Sequence, residues 1–424
     1  MVKGSSSQSN WTPILLAVGA GVLTAMQIGK VPPALPVIAE DLELSRVTAG
    51  LVASLFFVVG AVFGVVVGAM ADRFGERRLL YGGLLLLTLG SLIGGLNAAT
   101  GILLATRVIE GVGYIAIMVS APKIITGVAR PRDVPFAIGI WSTFMPLGMA
   151  IIMVLSPFML AGIGWQGMWL ANAATLTAFI AVLPLGLRPE GRRRSDAGSQ
   201  SKVTGGVSNA EKVGTVVPDG FDWPGAKTLM AQPGPWLLGL IFTLYSLQWF
   251  AVMTWLPTFL IETQGRSLTS ASLFAAFVVF VNVFGNLAAG WMMMRRGVPR
   301  WGLIAFSFVI MAATIPLVFS AGVGSEGKIL LALSFSALTG MLPAACLAGA
   351  AAHAPSPAQN AMSNGFVIQG ATIGSLLGPP IMGALTTSFG SWENFWWVML
   401  IGPAIGLLLV ARLRSAERQL LAAS

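Results

Sequence analysis

Two residue types on which much metal and hydrolytic chemistry depends occur once each in this chain, as Cys346 and His353. A single cysteine excludes an internal disulfide and a cysteine-built metal cluster, and we read Cys346 as a small buried hydrophobe. One histidine without companion ligands leaves no metal constellation, and His353 is expected as a solvated residue at a span end rather than a proton relay. Charge is equally scarce: Asp, Glu, Lys and Arg make up 10% of 424 residues, against about 25% in soluble domains. No Gly-x-x-x-x-Gly-Lys-Ser/Thr run is present, so an ATP-driven pump has no phosphate loop. Nor is there a repeated ring of polar residues of the kind that lines a channel. We therefore expect no enzyme, no cofactor and no metal.

What is abundant is apolar sequence. Hydrophobic residues make up 55% of the chain, arranged in stretches of about 20 residues or more, the length that crosses a bilayer as a helix. We read twelve of them, at 12–36, 47–70, 79–98, 101–127, 135–160, 166–187, 236–261, 268–293, 301–321, 328–350, 360–386 and 394–412. The first is too long for the apolar core of a cleavable signal. The Ser-, Gly- and charge-rich stretch between spans six and seven reads as a tether. The expected organisation is an N-terminal six-helix bundle at 1–187, a cytoplasmic linker at 188–235 and a C-terminal six-helix bundle at 236–424. The net charge of +9 is read as topological, not as a nucleic-acid signal. Lys3, Arg77, Arg78, Arg130, Arg132, Arg295, Arg296, Arg300 and Arg412 fall on one side, against Arg46, Arg266 and Lys328 on the other. The basic side is cytoplasmic by the positive-inside rule, which puts both termini inside.

Few charges remain within the spans. Lys30 lies late in span one, and Arg107 and Glu110 lie early in span four; Glu110 is the one acid of sixteen that is not in a loop, tail or span edge. At 1.5 Å per residue the three sit at similar depth. A charge at that depth costs at least about 2.5–3.5 kcal/mol, so each needs a partner or a wet cavity. Arg107 and Glu110, three apart on one helix face, can pair. Lys30 is then a surplus cation and a candidate anion contact, with a structural pairing to Glu110 as the plainer alternative. Glu110, desolvated beside cations, is a candidate proton carrier.

The densest charge in the chain is the turn at Gly68–Arg78, where Asp72, Arg73, Glu76, Arg77 and Arg78 fall within seven positions. A weakened copy stands at Gly290–Arg300, about half the chain later, with Met294 in place of Asp72 and Val298 in place of Glu76. Two such copies mark a two-repeat protein. The turn resembles the signature of the major facilitator superfamily, Gly-x-x-x-Asp-Arg-x-Gly-x-Arg-Arg, and Arg107-Val-Ile-Glu-Gly resembles its fourth-helix signature. The resemblance covers the whole chain. It implies an all-α polytopic fold of two pseudo-symmetric six-helix bundles and a secondary transporter working by alternating access. It further implies that Gly68, Asp72, Arg73, Gly75, Arg77 and Arg78 form a cytoplasmic latch. Asp72 then has a helix N-terminus near Asn360 to rest on, whereas Met294 has no such contact, so the two latches should be unequal.

Substrate is less legible, because fold does not dictate function. Span five, Trp141 to Gly148, departs from the Gly-Pro-x-x-Gly-Gly run expected of drug antiporters, and spans one and five look broadly similar to cyanate- and nitroimidazole-type transporters. By depth, the residues expected to face a central cavity are Gln27, Lys30, Arg107, Tyr114, Trp141, Met145, Tyr245, Gln248, Trp249, Asn282, Asn364 and Gln369. The aromatic members have packing as their plainer role. Cations with aromatics and amides suit a small organic anion. We therefore expect a monomeric transporter of a bacterial inner membrane, taking up a small carboxylate with protons, with Arg107 and Glu110 in the coupling. The alternatives are a proton-coupled drug or metabolite exporter and an anion exchanger.

Overall fold

A computed structural model describes residues 11–64, 75–130, 132–186, 223–356 and 359–423. No strand occurs among them. Eleven segments are long and apolar enough to cross a membrane, and one of these, Phe136–Gly186, has twice the length a crossing requires. It is broken at Gly164, whose φ of 69° and ψ of 179° no helix accommodates. Counting that segment as two gives twelve spans, labelled in chain order. They are α1 Trp11–Asp41, α2 Arg46–Gly64, α3 Glu76–Leu96, α4 Thr100–Val128, α5 and α6 on either side of Gly164, α7 Pro233–Gln264, α8 Leu268–Arg296, α9 Arg300–Val318, α10 Ser325–Ala352, α11 Met362–Phe389 and α12 Trp396–Arg418. The twelve expected spans are all present. Two differences stand beside them. First, α1 is interrupted at Lys30, because Pro32 and Pro33 bring no N–H to the helical ladder. Second, the stretch expected as a tether contains a short helix at Trp223–Met230.

The spans alternate between two faces. One carries the turn before Arg46; the other carries Glu76 and Arg300. We call them the Arg46 face and the Arg300 face. The repeat is visible in backbone geometry. Left-handed backbone occurs at Glu43 and Gly265, and again at Gly75 and Gly297. Each pair has the same separation as Gly68 and Gly290. Two residues after Glu43, Ser45 caps α2 by accepting from the Thr48 N–H at 3.1 Å. Two residues after Gly265, Ser267 caps α8 by accepting from the Ser270 N–H at 3.2 Å. Both halves thus enter their second helix after a residue of positive φ, with a serine hydroxyl as the cap.

The halves meet along α2 and α11, between the 136–186 segment and α8, and where the end of α1 touches α7. Small residues allow the α2–α11 approach. A Cβ on Gly50 would lie 2.7 Å from the backbone of Pro379 and Pro380, and one on Gly383 would lie 2.5 Å from the Arg46 carbonyl oxygen. The Gln369 amide donates across the same seam to the Ala61 carbonyl at 2.8 Å. On the Arg46 face the halves are also tied by charge. Arg46 pairs with Glu262 at 2.9 Å, and Glu262 accepts from the Trp392 indole at 2.7 Å. The Arg46–Glu262 pair is half-exposed, so it fixes position more than it adds stability.

The paired turns carry opposite expectations for substitution. A non-glycine residue pays about 1–2 kcal/mol in the left-handed region, so Gly265→Ala should lower the thermal midpoint of the purified protein. Glu43→Gly should leave it unchanged or raise it, since relief of strain is offset by about 0.5–1 kcal/mol of added chain entropy. A rise for Gly265→Ala would contradict this account of the turn.

Candidate functional site

The only intramembrane charges expected from the sequence do meet. Lys30, Arg107 and Glu110 all have side-chain exposures of 0%. The Lys30 ammonium donates to Glu110 Oε1 at 2.9 Å, Gln27 Oε1 at 2.7 Å and Ser91 Oγ at 2.9 Å. Its Nζ also lies 4.4 Å from the centre of the Trp169 ring. Arg107 Nη1 donates to the other carboxylate oxygen of Glu110, Oε2. One carboxylate therefore serves two cations, each on its own oxygen. Second contacts fix the partners: Ser91 donates to the Trp169 carbonyl at 2.9 Å, and Gln27 donates to Asn172 Oδ1 at 3.3 Å. The cluster lies among α1, α3, α4 and α6, inside the first half. With all three groups ionised it carries one net positive charge.

Arg107 also reaches two main-chain carbonyls, each close to a local break in its helix. Its Nη2 donates to the Gln27 carbonyl at 3.1 Å, just before the interruption of α1 at Lys30. Its Nε donates to the Val52 carbonyl at 3.0 Å, just before α2 tightens into a 3₁₀ turn at Leu55–Phe57. A main-chain carbonyl has a second lone pair, and inside a membrane these two give the remaining guanidinium donors their acceptors. A planar guanidinium with five donors suits this task, and a lysine does not. Close approach is secured by glycine: a Cβ on Gly111 would lie 2.3 Å from the Phe56 carbonyl oxygen, and one on Gly90 would lie 2.5 Å from Glu110 Cγ.

From this cluster a row of rings leads into the second half. The Arg107 guanidinium carbon stands 4.9 Å from the centre of the Phe56 ring. Phe56 and Phe57 both pack on Tyr114, at 5.2 and 5.9 Å between centroids. Phe57 meets Phe250 of α7 at 4.8 Å, and Phe250 meets Trp249 at 4.9 Å. Glu110 and Tyr114 are one turn apart on α4, so carboxylate and rings share a helix face. Trp249 is buried, and its indole Nε1 has no hydrogen-bond partner among the described residues. A buried donor left unpaired costs roughly 1–3 kcal/mol, so this N–H can take an acceptor from a bound molecule.

The other expected residues separate into three groups. Tyr245 and Asn282 come together in the second half, with the Asn282 amide 3.4 Å from the Tyr245 hydroxyl and 2.9 Å from the Ser336 carbonyl. That cluster is polar but uncharged. Gln248 turns away from the first half and donates to Met399 at 3.1 Å. Trp141 stacks on Phe144 at 4.5 Å and lies over Gly21 of α1, within the first half; Met145 packs against the core beside it. Asn364 is half-buried on α11. Gln369 lines a cavity of about 570 Å³ near the Arg300 face, together with residues of α7, α11 and the helix Trp223–Met230. Gly68, Asp72 and Arg73 lie outside the described residues, so the expected latch is described only at Gly75, which takes the left-handed turn into α3, and at Arg77 and Arg78. Sequence reading missed Ser91, Asn172, Trp169, Phe56, Phe57 and Phe250. Ser91 had a signal, a hydroxyl in the Gly-rich face of α3 beside Gly90, Gly94 and Gly95.

Comparison with known proteins identifies the family and the fold. The model of the Major Facilitator Superfamily matches residues 17–354 and 238–423. A probable sulfoacetate transporter of Cupriavidus necator is 25% identical over 90% of this chain and 87% of its own length. A gentisate transporter of Corynebacterium glutamicum is 26% identical over 70% of this chain and 67% of its own. A 4-hydroxybenzoate transporter of Pseudomonas aeruginosa is 26% identical over 82% of this chain and 79% of its own. Among solved structures, a bacterial homologue of the human lysosomal transporter Spinster, in an inward-facing and unoccupied conformation, superposes with a TM-score of 0.72 at 18% identity, covering 97% of this chain and 95% of that one. A family model that spans most of the sequence, and a fold that matches from end to end, establish that the chain belongs to the Major Facilitator Superfamily and is a membrane transporter, not an enzyme.

Proposed function

We propose that the protein takes up a small organic carboxylate together with protons, by exposing a site between its two halves to each side of the membrane in turn. The carrying observation is that Glu110 alone, among the described residues, pairs with both Lys30 and Arg107, one on each oxygen. A proton on Glu110 weakens both pairs at once and raises the positive charge of the cluster by one. That change favours an anion nearby, so proton and anion binding are linked, each promoting the other. The rings from Phe56 to Trp249 offer an apolar bed that reaches both halves, and the unpaired Trp249 N–H offers a donor. Sulfoacetate, gentisate and 4-hydroxybenzoate, named for the three relatives, are all small organic anions. The Lys and Arg distribution supports a cytoplasmic Arg300 face, with both termini inside, in a bacterial inner membrane. The latch of the first repeat belongs to the same reading: Asp72 and Arg73 hold that face closed. The protein works as a monomer, one site per chain.

An anion exchanger is the second reading, and the net positive charge of the cluster favours it: a site that crosses only when an anion neutralises it needs no proton. Proteoliposomes separate the two. With an imposed inward proton gradient, the wild type should accumulate labelled 4-hydroxybenzoate. Glu110→Gln should lose that accumulation yet still exchange labelled for unlabelled substrate, which also shows that it folds. Accumulation undiminished in the variant would remove Glu110 from the coupling.

Lys30 is tested separately. Lys30→Ala should weaken substrate binding at least about tenfold, a loss of about 1.4 kcal/mol or more, measured by ligand-dependent thermal shift. Unchanged affinity for carboxylates would leave Lys30 a purely structural member of the cluster.

A further inference from the structure

The cavity of about 570 Å³ near the Arg300 face differs in chemistry from the buried charges. It is bounded by the helix Trp223–Met230, by α7 and α11 of the second half, and by Val62 of α2 from the first half. Its volume falls within the range of about 300–1,000 Å³ that holds drug-sized ligands. Apolar side chains dominate its wall, among them Val62, Met230, Trp236, Leu240 and Phe366. The polar groups in the wall are already engaged. Thr243 donates to the carbonyls of Gly239 and Gly370, each at 2.9 Å, and Gln369 donates to Ala61. Among the described residues the one charged lining residue is Lys227, which is exposed and whose ammonium forms no hydrogen bond or ion pair with them. Among the described residues no buried group waits to orient a small polar anion here. The wall asks for a long apolar body, and the rim asks for a negative head.

The position identifies the source of such a molecule. Val62, Trp236, Leu240 and Met230 at the mouth are 57, 45, 47 and 50% exposed, so the apolar wall continues outward rather than closing. Trp236 holds its indole N–H to the Met230 carbonyl at 2.9 Å, the placement of a ring at a membrane–water boundary. Lys227 lies on the helix that precedes α7, on the face that also carries Arg295, Arg296, Arg300, Arg412 and Arg414. We infer that the cavity is a binding site for an anionic phospholipid of the leaflet on the Arg300 face, with an acyl chain in the apolar pocket and the phosphate at Lys227. Each buried methylene adds roughly fourfold to affinity, and the phosphate adds selectivity over zwitterionic lipid. Because the wall joins both halves and the linker helix, the bound chain acts as a wedge between α2 and α7. It shifts the balance of conformations as far as the cavity differs between them.

The full-length protein in uncharged detergent provides the test. Phosphatidylglycerol, added in steps, should raise the thermal midpoint saturably, by about 2 °C or more, and phosphatidylcholine with the same chains should do less. Lys227→Gln should abolish the difference between the two lipids. Leu240→Trp and Val62→Trp, which fill the pocket from half-exposed positions, should each remove the stabilisation by both. Equal effects of the two lipids on the wild type would overturn the proposal, as would full stabilisation of both tryptophan variants. Stabilisation by oleate but not by phosphatidylglycerol would assign the pocket to a free amphiphile and overturn it too. Displacement of phosphatidylglycerol by 4-hydroxybenzoate would place the pocket on the cargo route, which defeats the lipid reading and leaves the transport reading standing.

Discussion

One carboxylate facing two cations inside a membrane protein governs the first half of this molecule. Buried charge at this depth is tolerated only when it is paired and its remaining donors are used. Lys30 spends its three protons on Glu110, Gln27 and Ser91, and Arg107 spends its own on Glu110 and two main-chain carbonyls. Everything nearby follows from that requirement. Gly90 lets α3 approach Glu110, and Gly111 lets α4 approach α2. The carbonyls of Gln27 and Val52, each near a break in its helix, accept from Arg107. Removing one partner of such a set costs about 3–5 kcal/mol, because the others stay buried without compensation.

The second half repeats the backbone of the first and not its electrostatics. Positive φ recurs at equivalent positions, at Glu43 and Gly265 and at Gly75 and Gly297, and both second helices begin on a capping serine. Yet where the first half gathers ions, the second gathers Tyr245, Asn282 and the Ser336 carbonyl. A fold built from two copies fixes the path of the chain by turn geometry and small residues. It leaves the side chains that face one another free to diverge. Chemistry is concentrated on one side of the seam, and the rings of Phe57 and Phe250 are where the other side meets it.

Much of the fold was legible in the sequence because the bilayer imposes a simple rule: a span is a long apolar run, and its ends carry charge. The meeting of Lys30, Arg107 and Glu110 was legible for the same reason, since stray charges in apolar helices must find one another. What remained hidden was lateral. Depth along a helix follows from counting residues, but which neighbour a side chain faces depends on how twelve helices pack. Trp141 and Gln248 have the depth of a central site, yet the first stacks within its own half and the second reaches α12. Ser91, Phe57 and Phe250 carry no sequence mark that separates them from dozens of similar residues. The short helix Trp223–Met230 was hidden for a different reason: its stability comes from packing Ala226 and Leu229 against Met362 and Phe366 of α11, a contact that local composition does not reveal.

The charge imbalance within the Lys30 cluster has an electrical consequence. A full elementary charge crossing the membrane exchanges about 2.3 kcal/mol with each 100 mV of potential. The cluster sits part-way through the thickness, and its ions belong to α1 and α4 alone, since the second half holds no comparable group in its Tyr245–Asn282 cluster. Any tilt of the first half that carries these ions along the membrane normal therefore moves charge through the field without balancing movement from the second. Displacement by a quarter of the thickness corresponds to roughly 0.6 kcal/mol per 100 mV for one net charge, enough to shift a two-state balance nearly threefold. Membrane voltage thus acts on any such tilt as a force, through the one net charge that a single carboxylate leaves between two cations.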